Sequence, residues 1–418
     1  MTISSGSSID RTGLVFHFDM ENNGKSWRGQ PVTNLWANQA SVSDLNTFNG
    51  WSMPGVPGAT SVITTDYGTW NSAAKSSIWK VTVGTGTMQS YASWRLCLDI
   101  GLSALGSTRR LQAKVKMLRG SITNLGFHDG GGTGGYTYTA IDPADVPGGV
   151  SDKTGWYLLS RQSNWTSTSV GQCIGIGILA QDIEFLVAEP MIALGATSTV
   201  PYTPNARSNT EAILDLTGNN TITANSLTYN SDGTFEFNGS STYASVGNLG
   251  NFSEITVELW FNYDAITNYR NPVDCNYTTG GSGTGNIGPR MECNSSGNVS
   301  WIWSANTTTN NTYSGLIAQY GISTGNWYHS VFSWKNSSTY AAYINGVNNG
   351  YSPSHNGGNN GAWMNSVSDL VIGRGFTLDS LTNRSMDGKI GSVKIYNRAL
   401  SAAEVVQNFE ASRGRYGV

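Results

Sequence analysis

Charge is scarce in this chain. Of its 418 residues only 12% are charged, 24 Lys or Arg against 27 Asp or Glu, for a net charge of −3. A basic surface able to neutralise many phosphates is missing, so nucleic acid is not an expected partner. The same shortage of Glu, Lys and Arg argues against coiled coils and long helical bundles. No uninterrupted apolar run approaches the ~20 residues of a bilayer-spanning helix, so no membrane insertion is expected. Met1 to Asp10 is polar and Ser-rich, with neither the basic nor the apolar region of a secretory signal. The expectation is assembly in the cytoplasm, with any route outside bypassing secretion. Cysteine is equally sparse. Cys97, Cys173, Cys275 and Cys293 form no Cys-x-x-Cys pair, so a structural zinc site is not expected. Cys97 and Cys173 lie in apolar runs and read as core residues. Cys275 and Cys293 flank a Gly-rich stretch, and both a disulfide and two free thiols stay open.

What the chain does contain is Gly (51 residues), aromatics (11%, including 14 Trp) and much Ser, Thr and Asn. That composition fits an all-β protein with polar loops. Ile255-Thr-Val-Glu-Leu-Trp-Phe261 alternates strictly, with Ile255, Val257, Leu259 and Phe261 on one face and Thr256, Glu258 and Trp260 on the other. Similar runs are Leu14–Phe18, Ser300–Trp303, Trp327–Trp334, Tyr340–Ile344, Leu370–Ile372 and Ile390–Tyr396, with turn formers such as Asn345-Gly346 between them. Short strands with regular turn signals predict β-sandwiches or jelly rolls. One helix is predicted, near the C-terminus. Ser401-Ala-Ala-Glu404 is a capping box, Val405, Val406 and Phe409 form an apolar stripe, and Gly414 is placed beyond the end. Ile183–Leu194 reads as a closing strand, followed by a Pro-containing exit to Pro204.

Several segments resemble known families. Phe235–Val246, Ile255–Phe261, Asn326–Trp334, Ala342–Gly346, Leu370–Arg374 and Asp387–Ser401 resemble the concanavalin A-like, laminin-G-like jelly rolls common in phage structural proteins. Glu404–Phe409 and Arg413–Tyr416 are similar to the endings of such jelly rolls. Gly155–Ser160 and Ala188–Pro204 look like a galactose-binding or carbohydrate-binding-module-like sandwich of the kind appended to phage tail proteins. In the phage jelly rolls a strand of the type Gly-Leu-Val-x-x-x-Asp precedes an Asp-Leu-x-Gly-Asn segment. Here Gly13–Asp19 supplies the strand, but Asp215-Leu-Thr-Gly-Asn219 comes only a domain's length later. The expected arrangement is therefore an insertion: 1–32 gives the first strand, 33–206 is an inserted sandwich, and 207–418 completes the jelly roll. Two domains in tandem are the alternative.

The resemblance implies a bacteriophage virion surface protein, a tail fibre or capsid decoration, attaching to a host glycan or coating the particle. Its partners would be other virion proteins and copies of itself, a trimer being the first expectation. A polysaccharide depolymerase and a bacterial surface adhesin are the other classes. The residues favour a non-enzyme. Glycosidases place two carboxylates across the scissile bond, and the Glu-x-Asp-x-x-Glu strand that concanavalin A-like glucanases carry is missing. Glu254 with Glu258 and Glu211 with Asp215 read as solvated strand-end charges. His17 and His329 read as packing or surface residues. Sugar rings stack on aromatics, and the loop candidates are Trp70, Trp165, Tyr269, Arg270, Tyr313 and Trp363, whereas Trp156, Trp260, Trp327 and Trp334 read as scaffold. No cofactor is expected. Asp129, Asp264 and Asp274 leave calcium possible without any requirement for it.

Overall fold

The computed structural model describes residues 8–20, 26–34, 61–71, 76–84, 94–99, 108–130, 137–140, 155–163, 173–178, 182–196, 199–203, 206–229, 235–267, 269–275, 289–303, 315–336, 339–348, 366–367, 369–375 and 384–418. The chain is all-β apart from a single 3-10 turn and one C-terminal helix among these residues. It divides into two compact units. One comprises Met1–Gly29 and Asn209–Val418, the other Gln30–Ser208.

The first unit is a sandwich of two antiparallel sheets. The eight-stranded sheet runs in the order Thr228–Tyr229, Phe235–Asn238, Asp387–Tyr396, Ile255–Tyr263, Trp327–Asn336, Thr339–Ile344, Val347–Asn348, with Leu14–Asp19 also paired to Asp387–Tyr396. The seven-stranded sheet runs Thr223–Asn225, Tyr243–Gly247, Leu370–Ile372, Val273–Asp274, Arg290–Cys293, Asn298–Trp303, Gly315–Gly321. Between them Phe16, Phe18, Val257, Leu259, Phe261, Met291, Trp301, Phe332, Leu370 and Ile395 form one core. The Asp387–Tyr396 strand shares one edge between two partners. Phe237 and Asn238 take Gly388 and Asp387, and Leu14–Asp19 takes Ser392–Tyr396. The first strand thus covers backbone groups that would otherwise form an open sheet edge. Asp215 fastens it from the side. Its carboxylate accepts from the His17 amide (2.9 Å), the Thr217 hydroxyl (2.6 Å) and the Asn220 side chain (2.7 Å). Asp215 is 5% exposed and so is not the solvated charge expected of it.

Ile255–Tyr263 is buried on both faces. Its apolar face enters the core, and its other face lies under the helix Ala402–Tyr416. That second covering corrects the reading of Glu258 as a solvated charge, for the side chain is fully buried. Lys394 Nζ donates to Glu258 Oε1 at 2.6 Å, and Asn408 Nδ2 donates to Oε2 at 2.7 Å. His329 Nε2 sits 3.2 Å from Oε1. Trp260 stacks on Tyr416 at 4.1 Å and donates from its indole N–H to Ser412. Gly391 makes room for this aromatic layer, since a Cβ there would lie 2.5 Å from the Tyr416 ring.

The capping box forms as predicted, with Ser401 and Glu404 bonded reciprocally. The helix then runs through Gly414 and ends at Gly417, which adopts the left-handed conformation. Its buried stripe is Val405, Asn408, Phe409, Ser412 and Tyr416, whereas Val406 is 43% exposed. Polar Asn408 and Ser412 belong to the buried stripe because their partners are Glu258 and Trp260.

The second unit also has two sheets. One runs Ser61–Asn71, Ser76–Val83, Ile183–Leu194, Arg109–Arg119, Tyr157–Ser163, with Thr33–Asn34 beside Ile183–Leu194. The other runs Trp94–Asp99, Cys173–Ile178, Leu125–Gly130, Thr137–Ala140. Pro190 sits where the register of the long strand breaks between Ala188 and Met191, next to left-handed Glu189 (φ 51°). A proline, lacking the N–H, is tolerated at such a bulge. Trp156 is buried with Leu186 and Ala188, as its strand setting predicts. Val200 exchanges two 2.7 Å hydrogen bonds with the Gln112 side chain, and Val32 pairs with Arg207, so this unit's first and last residues meet.

Cys275 and Cys293 are free and buried. Cys275 lies beside Pro289, and Cys293 is opposite Val299 further along, a separation of about 13 Å at the usual rise per residue. That exceeds the reach of a disulfide. Cys97 and Cys173 lie in paired strands, opposite Gly175 and Asp99, with side chains outside the described residues.

Burial pushes the Glu258 carboxyl upward, but the Lys394 charge and the His329 contact outweigh it and hold it well below the usual range. A depressed carboxyl contributes stability above its unfolded value, lost as pH falls below about 4. Burial lowers His329, which acts in the same direction on acidification. Lys394→Met should cost about 3–5 kcal/mol by leaving Glu258 buried without its cation. Denaturant unfolding at pH 7 checks this, and a Glu258→Gln variant should show a shallower loss of stability below pH 4.

Candidate functional site on the seven-stranded sheet

The strands of the seven-stranded sheet alternate between core and outer face. Met291 and Cys293 enter the core, so Arg290 and Glu292 point the other way. Asp274 is directly opposite Arg290 and belongs to the same outer row. Arg384 Nη1 donates to Glu292 Oε2 at 2.5 Å, and Arg290 Nη2 lies 3.9 Å from the same oxygen. The Arg384 guanidinium stacks on the Tyr269 ring at 5.2 Å from its centroid. Aromatic, guanidinium and carboxylate thus follow one another across this face. Asp369 adds a second acid near Asp274. Its amide donates to Cys275, and burial, then the Asp274 charge, raises its carboxyl above the ordinary value.

Tyr269 is held in a left-handed backbone conformation (φ 55°), which costs a bulky residue of order 1 kcal/mol or more. Arg270 braces it. The Arg270 backbone exchanges hydrogen bonds with Cys293 (2.9 and 2.8 Å), and its guanidinium donates to the carbonyls of Gly239 (2.9 Å) and Ser385 (2.8 Å). Tyr263 donates its hydroxyl to the Arg270 carbonyl at 3.1 Å, and Asn271 Nδ2 donates to the Met291 carbonyl at 2.8 Å. These bonds fix the corner that presents the Tyr269 ring.

Of the six sequence candidates the structure brings Tyr269 and Arg270 together here. Arg270 spends its guanidinium on the carbonyls of Gly239 and Ser385 and on the Thr267 hydroxyl. Trp70 lies in the Ser61–Asn71 strand, at a register shift between Thr69 and Asn71, rather than in a loop. Trp165, Tyr313 and Trp363 lie outside the described residues. Arg290, Glu292, Asp369 and Arg384 were not singled out by sequence. The alternation in Arg290-Met-Glu-Cys293 is the one signal that could have found the first two. The thiols are inert: burial and the Glu292 charge push Cys293 up to about 12, and burial and Asp274 raise Cys275 well above its ordinary value. Among the described residues no group of three or more His, Cys, Asp or Glu is placed to hold a metal ion. Of the three aspartates considered for calcium, Asp129 is on a strand of the second unit, Asp264 is exposed, and Asp274 is buried in the outer row.

Residues 237–406 match the model of the concanavalin A-like lectin/glucanase superfamily, of the laminin-G type. The first unit therefore contains a concanavalin A-like, laminin-G-like jelly roll. No curated protein matches the chain. Among solved structures it is similar to the binding domain of botulinum neurotoxin serotype D (18% identity, TM-score 0.36, covering 49% of this chain and 50% of that one). Domain 4 of an extracellular arabinanase from Geobacillus stearothermophilus, solved with arabinotriose, matches at 19% identity and TM-score 0.31, over 48% of this chain and 92% of that one. A Trypanosoma rangeli sialidase mutant matches at 14% identity and TM-score 0.35, over 49% and 31%. The chain thus spans about a third of the sialidase and half of the neurotoxin domain.

If the Asp274 charge raises Asp369, Asp274→Asn should bring the Asp369 carboxyl down towards the ordinary range. Carboxyl-detected NMR titration measures this, and an unmoved Asp369 would contradict the assigned cause.

Proposed function

We propose that this protein is a non-enzymatic bacteriophage virion surface protein, a tail fibre or capsid decoration, that holds a host-surface glycan on the outer face of its seven-stranded sheet. One observation carries the glycan reading: Tyr269, kept in a costly conformation by Arg270, lies against the Arg384–Glu292 pair. Aromatic faces stack on the C–H faces of sugars, and the buried Arg384–Glu292 pair supports the half-buried Tyr269 ring that would do so. Backbone strain concentrates at functional sites, where it pre-organises a binding surface. The superfamily's lectins and glucanases support sugar as the ligand class. The virion setting is supported by the likeness of the strands and of Glu404–Tyr416 to phage jelly rolls. Assembly in the host cytoplasm and exposure on the particle go with that setting. A homo-oligomer, a trimer first, would multiply weak single-site binding by valency.

A second reading, polysaccharide cleavage, is favoured by the Asp274 and Asp369 carboxylates, one of them raised in the manner of a general acid. Binding is preferred because the sequence carries no Glu-x-Asp-x-x-Glu run of the kind that glucanases place on one strand.

Glycan-array binding with Tyr269→Asn as the comparison tests the reading. Asn tolerates the left-handed backbone, so the variant should fold yet bind about tenfold more weakly, a loss of ~1.4 kcal/mol. Silence on all host glycans would favour mere particle coating, and release of reducing ends would favour the depolymerase.

A further inference from the structure

A second cleft lies on the other sheet of the same unit, along the C-terminal helix. Its volume is about 500 Å³, within the range of small-molecule sites. The floor is a patch of three adjacent strands. Asp19 is opposite Ser392, which is opposite Trp260, and His17 is opposite Lys394, which is opposite Glu258. Ser412, Arg415 and Tyr416 of the helix form one wall, and Ile9, Arg11 and Leu216 line the rest.

Two of the cleft's cations are already engaged. Arg415 grips Asp19 through two bonds of 2.7 and 3.0 Å, and Lys394 donates to Glu258 below the floor. Arg11 is exposed at the edge, and its side chain makes no ion pair or hydrogen bond among the described residues. With Arg415 matched by Asp19 and Lys394 by Glu258, the Arg11 side chain is the cation left over in the lining among the described residues. Ser392 is 3% exposed, and its Oγ has no hydrogen-bond partner among the described residues. A buried hydroxyl left without a partner is costly, and this one borders a cleft large enough for a ligand.

We propose that this cleft binds an acidic sugar unit, with its carboxylate towards Arg11 and a ring hydroxyl bonded to Ser392 Oγ. An inorganic anion alone would leave most of the volume unfilled. A sugar ring adds a hydroxyl for Ser392 and C–H faces for Ile9, Leu14 and Tyr416. A carboxylate supplies the charge that the unmatched Arg11 guanidinium favours, through charge-assisted hydrogen bonds. The site is separate from the Tyr269 face and does not rest on the function proposed for it.

The test is a titration of the full chain with glucuronic acid followed by ligand-observed NMR, with glucose as the neutral control. Glucuronate should bind in the millimolar range and glucose far more weakly. Arg11→Glu, a change at an exposed residue, should weaken glucuronate binding by about tenfold or more. Ser392→Ala should weaken it several-fold, and Tyr269→Asn should leave it unchanged. No saturable glucuronate binding, equal binding of glucose, or wild-type binding by both cleft variants would overturn the proposal. Loss of binding in Tyr269→Asn with both cleft variants intact would also overturn it and assign the acid to the other sheet.

Discussion

The antiparallel ladder between Leu14–Asp19 and Ser392–Tyr396 joins residues more than 370 positions apart, and the first unit is organised around it. Phe16 and Phe18 enter the common core from this strand, and His17 and Asp19 face the helix side. Asp215 ties its amide backbone, and Arg415 at the end of the helix grips Asp19. Without the strand, most of one edge of Asp387–Tyr396 would be open, the core would lose two phenylalanines, and the end of the helix would lose its anchor. Closing so long a loop costs only slowly more as length grows, which is why such a pairing is affordable to a folded domain.

The same sheet shows how a polar layer can be fully internal. The core takes the apolar face of Ile255–Tyr263, and the helix covers the opposite face. Thr256, Glu258 and Trp260 are therefore buried among Lys394, His329, Asn408 and Ser412. Every strong acceptor of Glu258 is used. Such a network resists substitution one partner at a time, because each removal leaves a buried charge or donor unmatched. The seven-stranded sheet uses related chemistry differently, with the buried Arg384–Glu292 pair set against half-buried Tyr269.

Much of this fold is legible in the sequence, because period-two alternation and turn residues report local structure. Ile255–Phe261 and its neighbours form the strands their patterns predict, and Ser401–Glu404 caps the helix its spacing predicts. Glu258 was misread because alternation assigns a residue to a face without saying whether that face is later covered. Its partners lie 71, 136 and 150 positions away, at His329, Lys394 and Asn408. Gly414 was misread because the Tyr416 contact with Trp260 extends the helix beyond its apolar stripe. At the candidate site Tyr269 and Arg270 stood out as polar-loop residues. Arg384 and Glu292 did not, since only the tertiary fold brings them 2.5 Å apart.

If the first strand is an integral part of the jelly roll, its amides should open only when that unit unfolds. Native-state hydrogen exchange on the full chain measures this directly. The expected result is that the slowest amides of Leu14–Asp19 exchange with the same opening free energy as those of Ile255–Tyr263. Exchange of Leu14–Asp19 at a much lower free energy, with Ile255–Tyr263 still protected, would contradict the account.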